Sequence, residues 1–240
     1  MISFPHNVKV ISTLRFLEGG NSIEGFNNFN LALHVNDNHN LVMENRALLV
    51  SHYNLPSSPA WINQIHSNIS IDAELISSKV DADASYTRKS GIVCAVLTAD
   101  CLPVFVSNKE GTIVGVAHAG WRGLANGIIE SLIYSFNCDG KDLVVHLGPA
   151  ISKLSFEVGE EVKLQYLSKN KNFESCFSYI NDKYYLDLYG AARLILKSCG
   201  ISSISGGDRC TYAESDEYFS YRRDGKCSGR MAHLIWMAKA

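Results

Sequence analysis

Three short apolar runs lie close together in the middle of this 240-residue chain. They cover residues 92–98, 103–107 and 112–118, and they are rich in β-branched side chains. Runs of this length and composition are typical of β-strands. Because the runs are almost continuously apolar, we expect strands that are buried on both faces. The chain must therefore supply covering layers on both sides of its central sheet.

The segments around these runs predict both helices and strands. Residues 122–136 change to helical spacing, because Leu124, Ile128, Leu132 and Phe136 recur every fourth position. Further helices are predicted at about 40–53, 156–168 and 187–199, and the last has Asp187 as its N-cap. Further strands are predicted at about 60–65, 142–148 and 217–222, and residues 230–238 fit a helix or a strand.

The order of these segments predicts the fold class. Loops rich in Gly, Asn, Ser and Pro are expected at 19–30 and 54–60, and no repeat or break in composition divides the chain. We therefore expect one mixed α/β domain over residues 1–240. Its architecture would be a layered sandwich of mixed β-sheets flanked by helices.

Composition excludes several classes of function. The chain has 22 Lys and Arg against 24 Asp and Glu, a net charge of −2, which leaves no broad basic surface for nucleic acid. No apolar run approaches the roughly 18 residues of a membrane helix. The first nine residues lack the features of a signal peptide, and the seven cysteines are an odd number. We expect reduced thiols in a cytoplasmic protein, either a monomer or a homodimer.

Three side chains that bind metals stand at the ends of apolar segments. They are His66, Cys101 and His118. Strand ends are where α/β folds gather functional groups. Two histidines and one cysteine would form a three-ligand zinc site with an open fourth position, which is the catalytic pattern.

Other interpretations of these residues stay open at this point. The spacing of His66, Cys101 and His118 matches no local zinc motif, and a single histidine at a strand end is more often structural. Cys101 could be a small buried hydrophobe. It could also be a thiolate nucleophile, with His66 or His118 as its base.

Two groups of arginines are candidates for binding an anion. Arg122 stands at the start of the helix predicted at 122–136, where the helix N-terminus also favours anions. Arg222 and Arg223 are adjacent and follow the strand predicted at 217–222. A solvated first-turn arginine and a surface salt bridge are the alternative interpretations.

Several motifs together resemble one known family. They are Asn63-Gln64-Ile65-His66, Asp81-Ala82-Asp83-Ala84, Leu97-Thr98-Ala99-Asp100-Cys101-Leu102-Pro103, Ala117-His118-Ala119-Gly120-Trp121-Arg122-Gly123, Leu147-Gly148-Pro149-Ala150-Ile151 and Phe219-Ser220-Tyr221-Arg222-Arg223-Asp224. On these motifs, which extend over nearly the whole chain, it is similar to the YfiH family of laccase-domain proteins. That family is also called multicopper polyphenol oxidase-like, and it is now grouped with purine nucleoside phosphorylases.

The resemblance implies a mixed α/β sandwich and a zinc enzyme. Its ligands would be His66, Cys101 and His118. The implied reaction is phosphorolysis of adenosine, inosine, guanosine and 5′-methylthioadenosine, with adenosine deamination as a side activity. Some members have been described as copper-dependent phenol oxidases or as peptidoglycan-editing amide hydrolases. The chain contains no His-x-His pair, and this absence argues against a multicopper cluster.

These implications lead to a hypothesis for the roles of the residues. Zinc on the three ligands would orient and polarise phosphate or water. Arg122, with Arg222 or Arg223, would neutralise the phosphate, and Asn63 or Gln64 would reach the purine edge through amide hydrogen bonds.

Two segments depart from the family pattern. The first is residues 15–22, where two extra residues separate Arg15 from the glycines that follow it. The second is Ser152-Lys153, which replaces the usual Gly-Pro. We assign no role to Arg15.

Overall fold

The computed structural model describes residues 4–77 and 80–239. Its strands are β1 Val8–Ser12, β2 Ser70–Asp72, β3 Ala84–Thr87, β4 Cys94–Thr98, β5 Leu102–Asn108, β6 Val114–Ala119, β7 Leu143–Leu147, β8 Glu157–Val158, β9 Phe177–Ile180, β10 Lys183–Leu186, β11 Ser203–Gly206 and β12 Met231–Met237. Its α-helices are α1 His39–His52, α2 Trp121–Asn126, α3 Ile128–Phe136, α4 Glu160–Lys169, α5 Leu188–Ser198 and α6 Tyr221–Asp224. The mixed α/β class predicted from the sequence is confirmed.

The strands form three sheets. A mixed six-stranded sheet has the order β11-β7-β5-β6-β3-β2, and its parallel pairs are β11 with β7 and β2 with β3. An antiparallel three-stranded sheet has the order β1-β12-β4. The short strands β8, β10 and β9 form the third sheet. The first two sheets hold the core of the fold.

The strands β4, β5 and β6 are buried along their whole length, as their apolar runs predicted. On β4, Cys94 and Val96 face the large sheet, whereas Ala95 and Leu97 pack towards Leu49 of α1. The opposite face of the large sheet packs against α2, α3 and α5. Four layers result, which are α1, the three-stranded sheet, the six-stranded sheet and the helices α2, α3 and α5.

Two predicted strands are wrong. Residues 60–65 form only isolated bridges, at Ala60 and Asn63. The side-chain amide of Gln64 takes both backbone hydrogen bonds of Leu97 that a neighbouring strand would otherwise make. Residues 217–222 form a turn in which Tyr218 and Phe219 are buried, and then the first residues of α6. The apolar side chains of this turn give the sequence the pattern of a β-strand.

Other boundaries also differ. The helix predicted at 122–136 is divided into α2 and α3 at Gly127, which has φ of 91°. The segment predicted as a helix from residue 156 begins with the two-residue strand β8 and becomes helical at Glu160. Residues 230–238 contain the strand β12. Across the described ranges, we find no helix of the length and apolarity that a bilayer crossing requires.

Candidate metal centre and its cavity

The structure brings His66, Cys101 and His118 together at one edge of the two main sheets. Their ligand atoms all lie within 4.8 Å of one another. Cys101 occupies the turn that joins β4 to β5, and His118 is the second-last residue of β6. The register of β5 and β6 pairs Pro103 with His118, which places Cys101 beside that histidine. His66 reaches the same point from the loop before β2.

Gly120 permits this convergence because it has no side chain. A Cβ atom at this position would lie 2.9 Å from Sγ of Cys101 and 3.1 Å from Cδ2 of His66. Carbon atoms do not tolerate the first of these distances. Gly120 also precedes α2, so the chain turns away from the cluster at the residue where the ligands approach most closely.

Asp83 is a fully buried carboxylate that orients both histidines. Its Oδ1 accepts hydrogen bonds from the backbone N–H of His66 at 3.1 Å and from Nδ1 of His118 at 2.8 Å. Its Oδ2 accepts from the backbone N–H groups of Ile65 and Ser67, and from the Ser67 hydroxyl. Because Nδ1 of His118 donates to Asp83, Nε2 is the nitrogen left to bind a metal.

The backbone is left-handed at two positions beside the cluster. His66 has φ of 60°, and its N–H is held by Asp83. Asp100 has φ of 87°. Its carboxylate accepts hydrogen bonds from the Thr211 hydroxyl and the Arg222 N–H, both at 2.7 Å. These carboxylate contacts hold the unusual backbone that points the ligands inward.

Cys101 and His118 stabilise each other's charged forms. Burial alone would raise the pKa of the Cys101 thiol, but the charge of His118 and hydrogen bonds from His118 and His66 lower it to about 6. Burial alone would lower the pKa of His118, but the Cys101 thiolate and the hydrogen bond to Asp83 raise it to about 9. A thiolate and two imidazoles are ligands that suit zinc and copper alike.

A cavity of about 460 Å³ opens over the cluster. Its wall includes the aromatic side chains Trp121, Phe156 and Tyr221. Arg122, Arg222 and Arg230 also line it. A cavity of this size, with apolar walls and a few convergent polar groups, is typical of a site for a small molecule.

The structure separates the arginines predicted from the sequence. Arg122 is exposed at the cavity, and its guanidinium stacks on Trp121 at 4.2 Å. Arg222 also lines the cavity and donates to the carbonyl of Glu157. Arg223 does not line it, since its guanidinium donates to Asp224 and to the carbonyls of residues 211, 212 and 218. The substrate-binding role of Arg223 stays a prediction, and these contacts give its guanidinium a structural role.

The side-chain amides of Asn63 and Gln64, which were predicted to bind the purine edge, form hydrogen bonds within the protein. Asn63 lies outside the cavity, and its side-chain NH₂ donates to Asp81 at 2.5 Å. The substrate-binding role of Asn63 stays a prediction that this contact does not support. Gln64 lines the cavity, but its amide exchanges two hydrogen bonds with the backbone of Leu97. That exchange fixes the His66 loop to β4.

Sequence reasoning missed Asp83, Gly120 and Arg230. Asp83 and Gly120 lie inside motifs that carry the family resemblance, and their place in those motifs could have identified them as site residues. No feature of the sequence identified Arg230, because it follows a loop and precedes a segment with ambiguous periodicity. Its place in the cavity depends on the pairing of β12 with β4, which the sequence does not show.

Comparisons with known proteins show the family of this chain. Residues 10–238 match the model of the family described as multi-copper polyphenol oxidoreductase laccase. The chain is 44% identical to "Purine nucleoside phosphorylase YfiH" of Escherichia coli strain K12, over 97% of this chain and 95% of that one. It is 39% identical to "Purine nucleoside phosphorylase" of Haemophilus influenzae, with the same coverage of 97% and 95%. The chain therefore belongs to the laccase-domain family that includes the YfiH proteins.

Solved structures support the same membership. Protein NMB0706 of Neisseria meningitidis superimposes with a TM-score of 0.93 at 42% identity, over 98% of this chain and 96% of that one. YlmD of Geobacillus stearothermophilus superimposes with a TM-score of 0.87 at 27% identity, over 98% and 93%. The layered sandwich described above is thus the fold of these relatives.

Proposed function

We propose that this protein is a zinc-dependent purine nucleoside phosphorylase. Its substrates would be adenosine, inosine, guanosine and 5′-methylthioadenosine, together with inorganic phosphate. The observation that carries the proposal is the convergence of His66, Cys101 and His118 at the base of a cavity that also has aromatic walls and arginines. The curated names of two relatives, given above, point to the same reaction.

The cavity suits both halves of a nucleoside. The aromatic side chains of Trp121, Phe156 and Tyr221 line the cavity and supply apolar surface for a purine. The arginines supply positive charge for phosphate. The volume of about 460 Å³ is in the range of small-molecule sites.

The reaction makes and breaks one bond at the anomeric carbon. An oxygen of phosphate bonds to C1′ as the bond from C1′ to the purine nitrogen breaks. The proton of the attacking phosphate ends on the purine, so the reaction balances without a redox partner. Positive charge that develops on the sugar would be stabilised by a fixed negative group nearby, and the Asp100 carboxylate, which lines the cavity, is the candidate.

The residues of the chain hold this arrangement before substrate arrives. Asp83 keeps the proton on Nδ1 of His118 and fixes the loop of His66. Tyr166 donates to the carbonyl of Trp121 at 2.8 Å and thereby fixes the wall of the cavity. Zinc held by His66, Cys101 and His118 would supply a Lewis acid that polarises an oxygen atom.

Adenosine deamination is proposed as a side activity of the same site. It needs water rather than phosphate as the nucleophile, and it releases ammonia while the glycosidic bond stays intact. Formation of inosine from adenosine in phosphate-free buffer measures it directly. Absence of inosine under those conditions would remove this part of the proposal and leave phosphorolysis standing.

The direct test replaces two of the proposed ligands. Cys101→Ala and His118→Ala are assayed with adenosine and phosphate, and adenine and ribose 1-phosphate are measured. We expect both variants to fall to background, because each loses a metal ligand. Turnover equal to the unmodified protein in both variants would refute the assignment.

Copper-dependent phenol oxidation is the rival suggested by the family description. Within residues 4–77 and 80–239, His66, Cys101 and His118 form the single group of three or more metal-binding side chains. Four-electron oxygen chemistry needs several coppers. Protein reconstituted with zinc alone should cleave nucleosides and leave phenols unchanged. The opposite result would favour the oxidase.

A second candidate is a cysteine hydrolase that cleaves an amide of a muropeptide precursor. One observation favours it, namely the order Cys101, His118 and Asp83, in which a thiolate pairs with a histidine held by a carboxylate. Such an enzyme would keep its activity after treatment with a chelator. The phosphorylase proposed above would lose its activity under the same treatment and regain it with zinc.

A further inference from the structure

Four arginines lie near the cavity or its rim, and they differ in how many N–H donors are available to a ligand. The guanidinium of Arg223 donates to Asp224 and to backbone carbonyls. Arg122 and Arg222 line the cavity but are exposed to solvent, where water and salt weaken their attraction for an anion. Arg230 is the member of the set that is both half-buried and part of the cavity wall.

Arg230 is held in place from both ends. Its backbone N–H donates to Oδ1 of Asn30 at 2.9 Å. The two protons of Nη1 go to the carbonyls of Ser228 at 2.6 Å and Gly229 at 2.9 Å. Its guanidinium also lies 5.5 Å from the ring centroid of Tyr221. The position of the charged group is thus fixed without the help of a ligand.

The opposite edge of this guanidinium remains available. Among the described residues, no acceptor takes the Nε or Nη2 protons of Arg230, and no carboxylate forms an ion pair with it. The Nε and Nη2 edge is a planar fork that matches two oxygens of a phosphate. Burial lowers the pKa of Arg230 from its ordinary value, which reflects the desolvation that strengthens its attraction for an anion.

The strand register places this fork beside the metal-binding cluster. Met231 pairs with Thr98 across β12 and β4, so Arg230 stands opposite Ala99, two residues before Cys101. The charges of Cys101 and Asp100 act on its guanidinium. The two oxygens of Asp100 accept hydrogen bonds from Thr211 and Arg222, and this carboxylate forms no ion pair with Arg230.

From these contacts we infer that Arg230 forms the principal subsite for a tetrahedral oxyanion, inorganic phosphate, in this cavity. This inference rests on the proposed function and replaces the exposed arginines as the main phosphate contact. Two charge-assisted hydrogen bonds from one rigid fork bind the oxyanion on the side of the cavity formed by β12. Arg122 and Arg222 then contribute long-range attraction only.

The test measures phosphate binding without turnover. Inorganic phosphate is titrated by calorimetry into the zinc-loaded protein in the absence of nucleoside, after every variant has been brought to the same zinc content. Arg230→Gln should weaken binding by about 10- to 100-fold, the range for loss of hydrogen bonds to a charged group. The phosphate affinity of Arg230→Lys should lie between those of the unmodified protein and Arg230→Gln, because lysine keeps the charge but loses the planar fork. Arg88→Gln, an exposed arginine outside the cavity, should leave binding unchanged.

Kinetic measurements separate binding from a purely structural role. If Arg230 binds phosphate, Arg230→Lys raises the KM for phosphate and leaves the KM for nucleoside within about twofold. Equal changes in both constants would contradict the inference. So would phosphate binding by Arg230→Gln that equals that of the unmodified protein, or a failure of the unmodified protein to bind phosphate.

A measurement on the unmodified protein covers the case in which Arg230→Gln does not fold. Phenylglyoxal modifies arginine side chains, and peptide mass spectrometry reports the rate at each position. Phosphate should slow modification of Arg230 at least about threefold and leave Arg88 unaffected. Equal rates at Arg230 with and without phosphate would overturn the inference. Because neither binding assay requires turnover, phosphate bound at Arg230 without nucleoside cleavage would refute the proposed function alone.

Discussion

His118 and His233 face the same layer between the two main sheets, but their surroundings shift their pKa values in opposite directions. His118 is paired with Asp83 and the Cys101 thiolate, and its pKa is raised to about 9. His233 contacts the hydroxyls of Thr98 and Ser12, and burial lowers its pKa to about 3. Burial is nearly complete at both positions. The difference therefore lies in the partners and not in the depth of burial.

The cysteines at the two ends of β4 repeat this contrast. Cys94 begins the strand, and burial raises the pKa of its thiol to about 12. Cys101 follows the end of the strand, and its histidine partners lower the pKa to about 6. The interior end of β4 thus keeps a neutral packing group, whereas the cavity end holds a thiolate. The charged cysteine therefore lies at the sheet edge where Asp83 contacts the histidines.

The largest expected effect compares the two cysteines as metal ligands. Cys101→Ala should bind less than about 0.1 equivalent of zinc after dialysis and lose activity, because it removes the thiolate ligand. Cys94→Ala should keep its zinc and its activity within about twofold and lose about 1–2 kcal/mol of unfolding free energy through lost packing. Metal analysis and thermal denaturation measure both. Loss of zinc in both variants would contradict the assignment of Cys101, and not Cys94, as a zinc ligand.

Alkylation of the metal-free protein should separate the same thiols by about 100-fold. At pH 7 a thiol of pKa about 6 is mostly thiolate, whereas Cys94, with its pKa of about 12, has almost none. Iodoacetamide should therefore label Cys101 rapidly after chelator treatment, and added zinc should block the reaction. Labelling of Cys101 that is slow and insensitive to zinc would contradict the site.

Asp83→Asn should weaken zinc affinity by about 10- to 100-fold, the usual cost of losing a carboxylate partner of a histidine ligand. Asparagine keeps the size of the side chain, but its NH₂ would face N–H donors of residues 65–67 and His118. Competition with a chromogenic chelator measures the affinity. Ser67→Ala is the matched control, since it removes one of the hydrogen bonds to Asp83 and should cost less. Equal affinities in all three proteins would show that Asp83 has no part in holding the histidines.

The smallest effect concerns His233 and appears in acid stability. Its folded pKa lies below the unfolded value of about 6.5, so the unfolded chain binds the extra proton and stability falls as pH decreases from about 6.5 towards 3. Between pH 7 and pH 5 this contribution is about 2 kcal/mol. His233→Gln should flatten that part of the profile, measured by urea denaturation at each pH. A variant whose profile runs parallel to that of the unmodified protein would show that His233 is not the titrating group.

The sequence allowed the central strands and the three candidate metal ligands to be predicted, for different reasons. The strands β4, β5 and β6 are buried on both faces, and for this reason their sequences are almost continuously apolar. His66, Cys101 and His118 were found because each ends an apolar segment. The contacts of Asn63 and Arg223 could not be predicted, because a polar side chain looks the same in sequence whether it faces a cavity or a carbonyl group.

Long-range pairing explains what could not be predicted. Arg230 comes close to Cys101, 129 positions earlier in the chain, only through the register of β12 with β4. Asp83 reaches His118 because β3 pairs with β6, and β3 has only four residues and a weak pattern of its own. Such contacts depend on tertiary structure, which local periodicity does not encode.

The most direct test of the account follows inosine and phosphate by ³¹P NMR in one tube. Chelator-treated protein should give no new phosphorus signal, and addition of one equivalent of zinc should produce ribose 1-phosphate together with hypoxanthine. Cys101→Ala should give none after the same addition, whereas Cys94→Ala should give the product. Ribose 1-phosphate formed at an equal rate by the chelator-treated protein or by Cys101→Ala would contradict the assignment of this cluster as the active site.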